Sequence, residues 1–341
     1  MRDRTICRQD AGGSLPGVTF KPLLNRYRKL CVRGGYCATF QIMSVLIVGS
    51  TALDSIKTPW RENPRLLGGS ASHAAVAASF FAPVKLVGIV GEDFPRRYLQ
   101  LYRRHRVDLE GLQVAAGKTF HWAGEYEVNM NNRRTLRTEL GVFETFTPDL
   151  PETYRRTPFV LLANIAPALQ HRVLDQMRRP KLIVADTMDL WLNIALDDLL
   201  KLLRRIDVFV LNDSEARQLT KEDNVIRAAE KIHRLGPKYV IVKKGEHGAI
   251  LSSPGGLFVA PAFPLSQVVD PTGAGDSFVG GLIGYLASRK GPIETNLKRG
   301  MIYGSVVASF CCEGFGLTRT TWVTRVAIEQ RVGQLEKMVR F

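Results

Sequence analysis

The densest concentration of chemistry in this 341-residue chain is Val268-Val269-Asp270-Pro271-Thr272-Gly273-Ala274-Gly275-Asp276-Ser277-Phe278, with Gly280-Gly281 just beyond. Glycines on either side of Ala274 let the backbone turn tightly, so that successive N–H groups can converge on one point. The apolar positions Phe278, Leu282, Ile283 and Leu286 predict a helix whose N-terminus faces that point. Unpaired N–H groups and the helix dipole together favour an anion there. Asp276 adds a carboxylate to the same place, where it serves chemistry better than it serves anion binding. Gly-Ala-Gly-Asp alone would read as a loop with an aspartate cap. The company of Asp270, Thr272 and the paired glycines argues for a site.

Further clusters carry polar residues at strand ends or turns. Gly49-Ser50-Thr51-Ala52-Leu53-Asp54 places a carboxylate just beyond an apolar run; alone, Asp54 would be a turn or cap residue. Gly68-Gly69-Ser70-Ala71-Ser72-His73 opens a small-residue helix with two glycines that let backbone approach a ligand closely. His73 is equally an ordinary polar residue at a helix start. Asn212-Asp213-Ser214-Glu215 follows the strand Val208–Leu211 and has the makings of a helix cap. Val242-Lys243-Lys244-Gly245-Glu246-His247-Gly248 is a strand followed by a turn.

In this order and spacing the clusters resemble the PfkB, or ribokinase-like, kinase family over about residues 44–320. The resemblance implies that Gly273, Ala274 and Gly275 form an anion hole and that Asp276 is the catalytic base. It gives Asp54 the substrate hydroxyls, an acceptor role natural to a carboxylate, with Gly68, Gly69 and His73 beside the substrate; many members have Asn where this chain has His73. It assigns Lys243, Gly245, Gly248 and Thr272 to the nucleotide, and Asn212 and Glu215 to Mg²⁺ through water. Arg134-Thr135-Leu136 is similar to a segment of adenosine kinases whose arginine reaches the transferred phosphoryl group. Asp270 and Thr272, with carbonyls near Ser309, Cys312 and Gly314 and the Thr318 hydroxyl, would form a K⁺ site. The implied activity is ATP-dependent phosphorylation of an alcohol on a sugar or sugar-containing molecule. A nucleoside as acceptor, and a basic non-catalytic binding module on the same fold, are the alternatives.

These residues must be positioned by an alternating chain. Strand patterns at 45–48, 84–90, 159–162, 182–186, 208–211 and 239–242 alternate with helical patterns at 71–81, 96–106, 169–177, 196–203 and 225–235. That rhythm predicts an α/β, mainly parallel sheet with helices on both faces. Strand-rich patches at 56–67 and 117–140 interrupt it and predict a small separate sheet, which in ribokinase-like enzymes is a lid over the substrate and, as a further implication, a surface for a homodimer. Residues 1–42 show no periodicity and read as a disordered basic extension, or as an upstream start; the kinase domain is expected over 43–330 and a tail over 331–341.

Composition narrows the remaining classes. A content of 45% hydrophobic and 23% charged residues is that of a globular protein, and no apolar run reaches the roughly 20 residues that span a bilayer. Five cysteines, at 7, 31, 37, 311 and 312, have neither disulfide-framework nor zinc spacing, which fits a reducing cytoplasm. Residues 1–42 carry eight Lys/Arg and two acids, so they supply +6 of the net charge of +15. The remaining basic pairs are scattered along the chain; a nucleic-acid binder would need them on one face, and a basic surface suits an anionic nucleotide equally, so charge does not discriminate, and a nucleic-acid partner is not expected. Gly-x-x-x-x-Gly-Lys-Ser/Thr, a dinucleotide-binding Gly-x-Gly-x-x-Gly and His-Glu-x-x-His are all absent from the sequence.

Overall fold

Val45-Leu46-Ile47-Val48 is apolar at every position, as a strand covered on both faces must be, and all four residues are buried. In the computed structural model, which describes residues 27–31 and 37–340, alternate side chains of this strand enter two different cores. Val45 and Ile47 pack with Ala74, Phe278 and Leu282. Leu46 and Val48 pack with Val173, Leu202 and Ile232 on the other face. The two cores arise because successive strand side chains point to opposite sides.

Strands β1 (Tyr27–Cys31) and β2 (Cys37–Gln41) pair antiparallel as a separate unit. The rest of the extension predicted to be disordered, up to Gln41, lies outside the described residues, apart from this pair. From Ile42 onward the order is β3 (Val45–Val48), β4 (Ala52–Lys57), β5 (Glu62–Gly68), α1 (Ser70–Ser79), β6 (Val84–Gly91), α2 (Arg96–Arg104), β7 (Val107–Ala115), β8 (His121–Tyr126) and β9 (Arg133–Glu139). There follow β10 (Phe159–Leu162), α3 (Pro167–Gln176), β11 (Leu182–Asp186), α4 (Asp189–Ile194), α5 (Leu196–Leu203), β12 (Val208–Asn212), α6 (Asp213–Thr220), α7 (Val225–His233) and β13 (Tyr239–Lys243). The chain closes with β14 (Ala249–Ser253), β15 (Gly256–Ala260), α8 (Ala274–Ala287), α9 (Ile293–Cys312) and α10 (Arg325–Val339).

The large sheet has the order β15-β14-β13-β12-β11-β10-β3-β6-β7. It is parallel from β13 to β7, and β14 and β15 extend one edge antiparallel. The predicted parallel sheet is thus present, with edge strands β7, β14 and β15 beyond the strands read from sequence. Strands β7 and β15 carry half-exposed, mixed residues, and β14, though mostly buried, is a five-residue run ending in two serines, so their apolar signal is weak. The interrupting patches form a second sheet, β5-β4-β8-β9. It begins earlier than predicted, and Asp54 rides on its strand β4. Residues 331–339, expected as a tail, belong to α10, whose Ile328, Val332 and Leu335 are buried.

Helix α8 is packed between α1 and α9 at unusually close range. A Cβ on Gly280 would stand 2.3 Å from the Ala74 carbonyl oxygen, and one on Gly281 would stand 3.1 Å from the Gly304 Cα. Gly280 therefore brings the helices carrying Gly69–His73 and Gly273–Asp276 together, and Gly281 seats α8 against α9.

Candidate active site

Gly273 adopts φ +76°, a left-handed conformation suited to glycine, and caps α8. The turn before it is tied from inside. The fully buried Asp270 accepts from Thr272 N–H at 2.8 Å through one carboxylate oxygen and from Gly316 N–H at 2.8 Å through the other. Because Gly275 has no side chain, Lys243 lies beside it: a Cβ there would be 3.2 Å from Nζ. Lys243 Nζ is held by Asp186 at 3.0 and 3.1 Å. The helix start and this ammonium together make a positive recess. Asp186, Asn212 and Lys243 end three adjacent parallel strands, the edge of an α/β sheet where ligands gather.

Asp276 projects from the first turn of α8 and is half-buried. Burial raises its carboxyl above the usual range, while the positive charges of Lys243 and Arg133 oppose the rise. Asp54 is 5% exposed, and burial pushes it up to about 7 against a bond from the Gly69 backbone; Asp270 and Asp276 add to the rise and Arg133 opposes it. Its carboxylate fills the space of the side chain Gly68 lacks, 1.9 Å from where a Cβ would stand. Gly69, at φ +87°, starts α1. Asn212 and Glu215 form a reciprocal cap on α6: Asn212 Oδ1 accepts from Glu215 N–H at 2.8 Å, and Asn212 N–H donates to Glu215 Oε2 at 2.7 Å. Glu215 is buried and pushed up to about 7, chiefly by burial, with Lys243 lowering it and Asp186 raising it.

A cavity of 560 Å³ opens beside the recess. Its walls include Lys243, Gly245 and Gly248 of the turn after β13, Phe263, Gly275 and Ser309. It joins the predicted nucleotide turn to the anion site, so a triphosphate can lie with its tail at the α8 N-terminus.

Residues 61–323 match the pfkB family carbohydrate kinase model. The chain belongs to that family. Curated relatives of this pfkB kinase include a cytidine kinase of Thermococcus kodakarensis, 30% identical over 76% of this chain and 94% of that protein. A nucleoside kinase of Thermoplasma acidophilum is 28% identical over 72% of this chain and 77% of its own length. Among solved structures, the Methanocaldococcus jannaschii nucleoside kinase superposes with a TM-score of 0.70 at 20% identity, covering 85% of this chain and 98% of that one. A Thermotoga maritima ribokinase gives 0.69 at 20% identity, covering 85% and 99%. These structures share the ribokinase-like fold, with its large mainly parallel sheet and small second sheet.

Not every residue assigned from the sequence reaches the site of this pfkB kinase. Arg134 lies on the exposed side of β9. Its guanidinium is 75% exposed and pairs with Glu125 at 2.7 Å, which also binds Lys57. Arg133 is the arginine on the other face of β9: its register partner is Tyr126, and its charge lowers the Asp54 and Asp276 carboxyls. Alternation along β9 was the signal, since one residue of offset changes the face. His73 lies beneath the anion loop, with Nδ1 2.2 Å from where a Gly273 Cβ would stand and 3.7 Å from Cys311 Sγ. Burial pushes its imidazole down to about 4. It is a neutral floor to the loop. Asp186 and Tyr126 were not read from sequence. Tyr126 Oη accepts from Thr272 Oγ1 at 3.0 Å and so links the small sheet to the anion loop.

The residues fit the divalent ion that the resemblance implies. Asp186, Glu215 and Asp276 are acids raised by burial, a state that a cation would relieve. Among the described residues no group of three or more His, Cys, Asp or Glu is placed to hold a metal ion directly, so these side chains would reach the ion through water. The segments around 270 and 312 also meet, with Val269 N–H donating to the Cys312 carbonyl at 2.8 Å. There Ser309 Oγ accepts from Arg331 at 2.9 Å, Thr318 Oγ1 donates to the Phe315 carbonyl at 2.6 Å, and Gly314 N–H donates to Cys311 at 3.3 Å.

Proposed function

We propose that this kinase transfers the γ-phosphoryl group of ATP to a hydroxyl on the sugar of a nucleoside, with Asp276 as general base. The observation that carries the reading is that Asp276 stands in the first turn of α8, directly after the Gly273–Gly275 turn, and within electrostatic reach of both Lys243 and the buried Asp54. In such a step the acceptor oxygen forms a bond to the γ-phosphorus, the bond to the β,γ-bridging oxygen breaks, and ADP leaves. The acceptor proton passes to an Asp276 carboxylate oxygen. The transition state is loose, so catalysis comes mainly from positioning and charge stabilisation. Asp54 orients the acceptor by taking hydrogen bonds from its other hydroxyls. The N–H groups of Gly273, Ala274 and Gly275, with Lys243 and Arg133, receive the charge of the transferring group. Asp186 and Glu215, with Asn212, would hold Mg²⁺ through water, and the ion would supply further charge neutralisation at the phosphates.

The nucleoside is favoured by the cytidine kinase relative, whose similarity spans most of both chains. Incubating the protein with ATP and Mg²⁺ against nucleosides and free sugars tests it; transfer to free sugars alone would move the acceptor, and transfer to neither would remove the reading. K⁺ between residues 270–272 and 309–318 belongs to the same proposal, because the buried Asp270 carboxyl is raised by burial and a nearby cation would relieve it. Turnover is expected to be faster in K⁺ than in tetramethylammonium at equal ionic strength, and equal rates would dismiss the cation.

A further inference from the structure

The small sheet holds an aromatic plate next to the residue assigned to the acceptor sugar. Trp122 on β8 is in register with Asp54 on β4, so both side chains leave the sheet on one face. Its indole lies across Gly124, where a Cβ would stand 2.1 Å from Cη2 and 2.4 Å from Cζ2. Nε1 donates to Thr135 Oγ1 on β9 at 3.3 Å, and the Arg133 guanidinium carbon is 5.4 Å from the ring centroid. Trp122 is half-buried, while Thr135 and Arg133 are exposed. The ring is therefore laid flat on the sheet against Gly124, its edge held by Thr135 and its outer face shared with the exposed Arg133 side chain, on the side that also carries Asp54.

We propose that Trp122 is the stacking plate for the base of a nucleoside whose sugar is held by Asp54. This rests on the kinase reading above and deepens it, by naming the residue that separates nucleosides from free sugars. Neighbouring strands are about 4.8 Å apart, so the indole begins one strand beyond the carboxylate. A sugar engaged at Asp54 with a hydroxyl at Asp276 extends its N-linked substituent into that distance. A rigid indole face gains most from a second planar ring, by stacking that tolerates different bases. A free sugar leaves that face to the Arg133 guanidinium and water. Gly124 is then a specificity residue by omission, since any side chain there would lift the plate.

Two measurements test the inference. The first follows tryptophan fluorescence on adding cytidine, inosine or ribose without ATP, in the natural protein and in Trp122→Phe. Both nucleosides are expected to quench the natural protein, ribose to quench it far less, and the nucleoside signal to fall in Trp122→Phe. The second compares KM values under ATP and Mg²⁺. Trp122→Ala is expected to raise KM for the nucleosides on the order of 10- to 100-fold relative to that for ribose. Trp122→Phe, which keeps a flat ring, should restore most of that loss, and Gly124→Ala should imitate it. Nucleosides that are phosphorylated while Trp122→Ala changes their KM no more than that of ribose would overturn the plate and leave the kinase reading intact. Nucleosides that quench through Trp122 without being phosphorylated would overturn the acceptor and keep the plate.

Discussion

Asp276 and Arg133 are the residues on which the proposed chemistry turns. General-base assistance contributes typically about 10²–10⁴-fold, so Asp276→Asn is expected to lower kcat by that order. ATP binding should persist, since the N–H groups of 273–275 and Lys243 are untouched; near-normal kcat in Asp276→Asn would remove it as the base. The two adjacent arginines give an internal comparison. Arg133 lowers the carboxyls of Asp54 and Asp276, whereas Arg134 serves an exposed pair with Glu125. Hydrogen bonds to charged groups are worth about 1.5–3 kcal/mol, so Arg133→Ala should cost on the order of 10-fold in kcat/KM or more. It should also move the acid limb of the pH–rate profile upward, because the carboxyls lose a positive neighbour. Arg134→Ala removes a surface pair worth about 0–1 kcal/mol and should change little. The reverse ranking would return the site role to Arg134.

The elements matter through how closely they approach. Helices α1 and α8 each bring a glycine-initiated turn to the site, and Gly280 sets their spacing against the Ala74 backbone. A methyl group at 2.3 Å from a carbonyl oxygen cannot be relieved by a rotamer change, so the helices must separate. Overpacking of this kind costs about 1–3 kcal/mol. Gly280→Ala is expected to lower the melting temperature and to reduce activity, although residue 280 touches neither substrate; thermal denaturation and kcat/KM measured together check it, and an unchanged melting temperature would refute the close approach. The α8 N-terminus was readable beforehand because its signals are local: glycines, an acid in the first turn, then apolar periodicity. The second half of α10, from residue 331, reads as a tail because its buried positions, Val332 and Leu335, are sparse and flanked by charge.

At the scale of the molecule, the carboxyls collected at the sheet edge weaken the ligand-free fold as they ionise. Asp54 and Glu215 are pushed up to about 7, and Asp186, Asp270 and Asp276 are also raised. A raised carboxyl keeps in the folded state a proton that the unfolded chain has lost. Its contribution is therefore fully present below about pH 4 and is lost as pH rises through the folded value. His73 and His105 are lowered by burial and act with the opposite sign, an effect that fades as pH rises through about 6.5, the ordinary histidine value. Above about pH 7, where the unfolded-state histidines are mostly neutral, the raised carboxyls decide, and the melting temperature of the ligand-free protein should fall. Asp54→Asn cannot ionise and should flatten that slope. Differential scanning calorimetry across the window is the check, and a rising melting temperature or an unaltered slope in the variant would contradict it.

Local sequence set the alternating strands and helices, the glycine turn that opens α8 at Asp276, and the order of Asp54, Asn212–Glu215 and Lys243 along the chain. Each depends on neighbours within a few residues or on apolar periodicity, and these act before any long-range contact forms. Only the tertiary structure decided which of two adjacent arginines faces the carboxylates, because β9 takes its register from β8. The same holds for His73, whose burial under Gly273 comes from α8 closing over α1, and for Asp186, which enters the site only when β11 lies beside β12 and β13. A side chain's face, burial and charged neighbours are properties of packed surfaces, and packed surfaces are set by residues far apart in the chain.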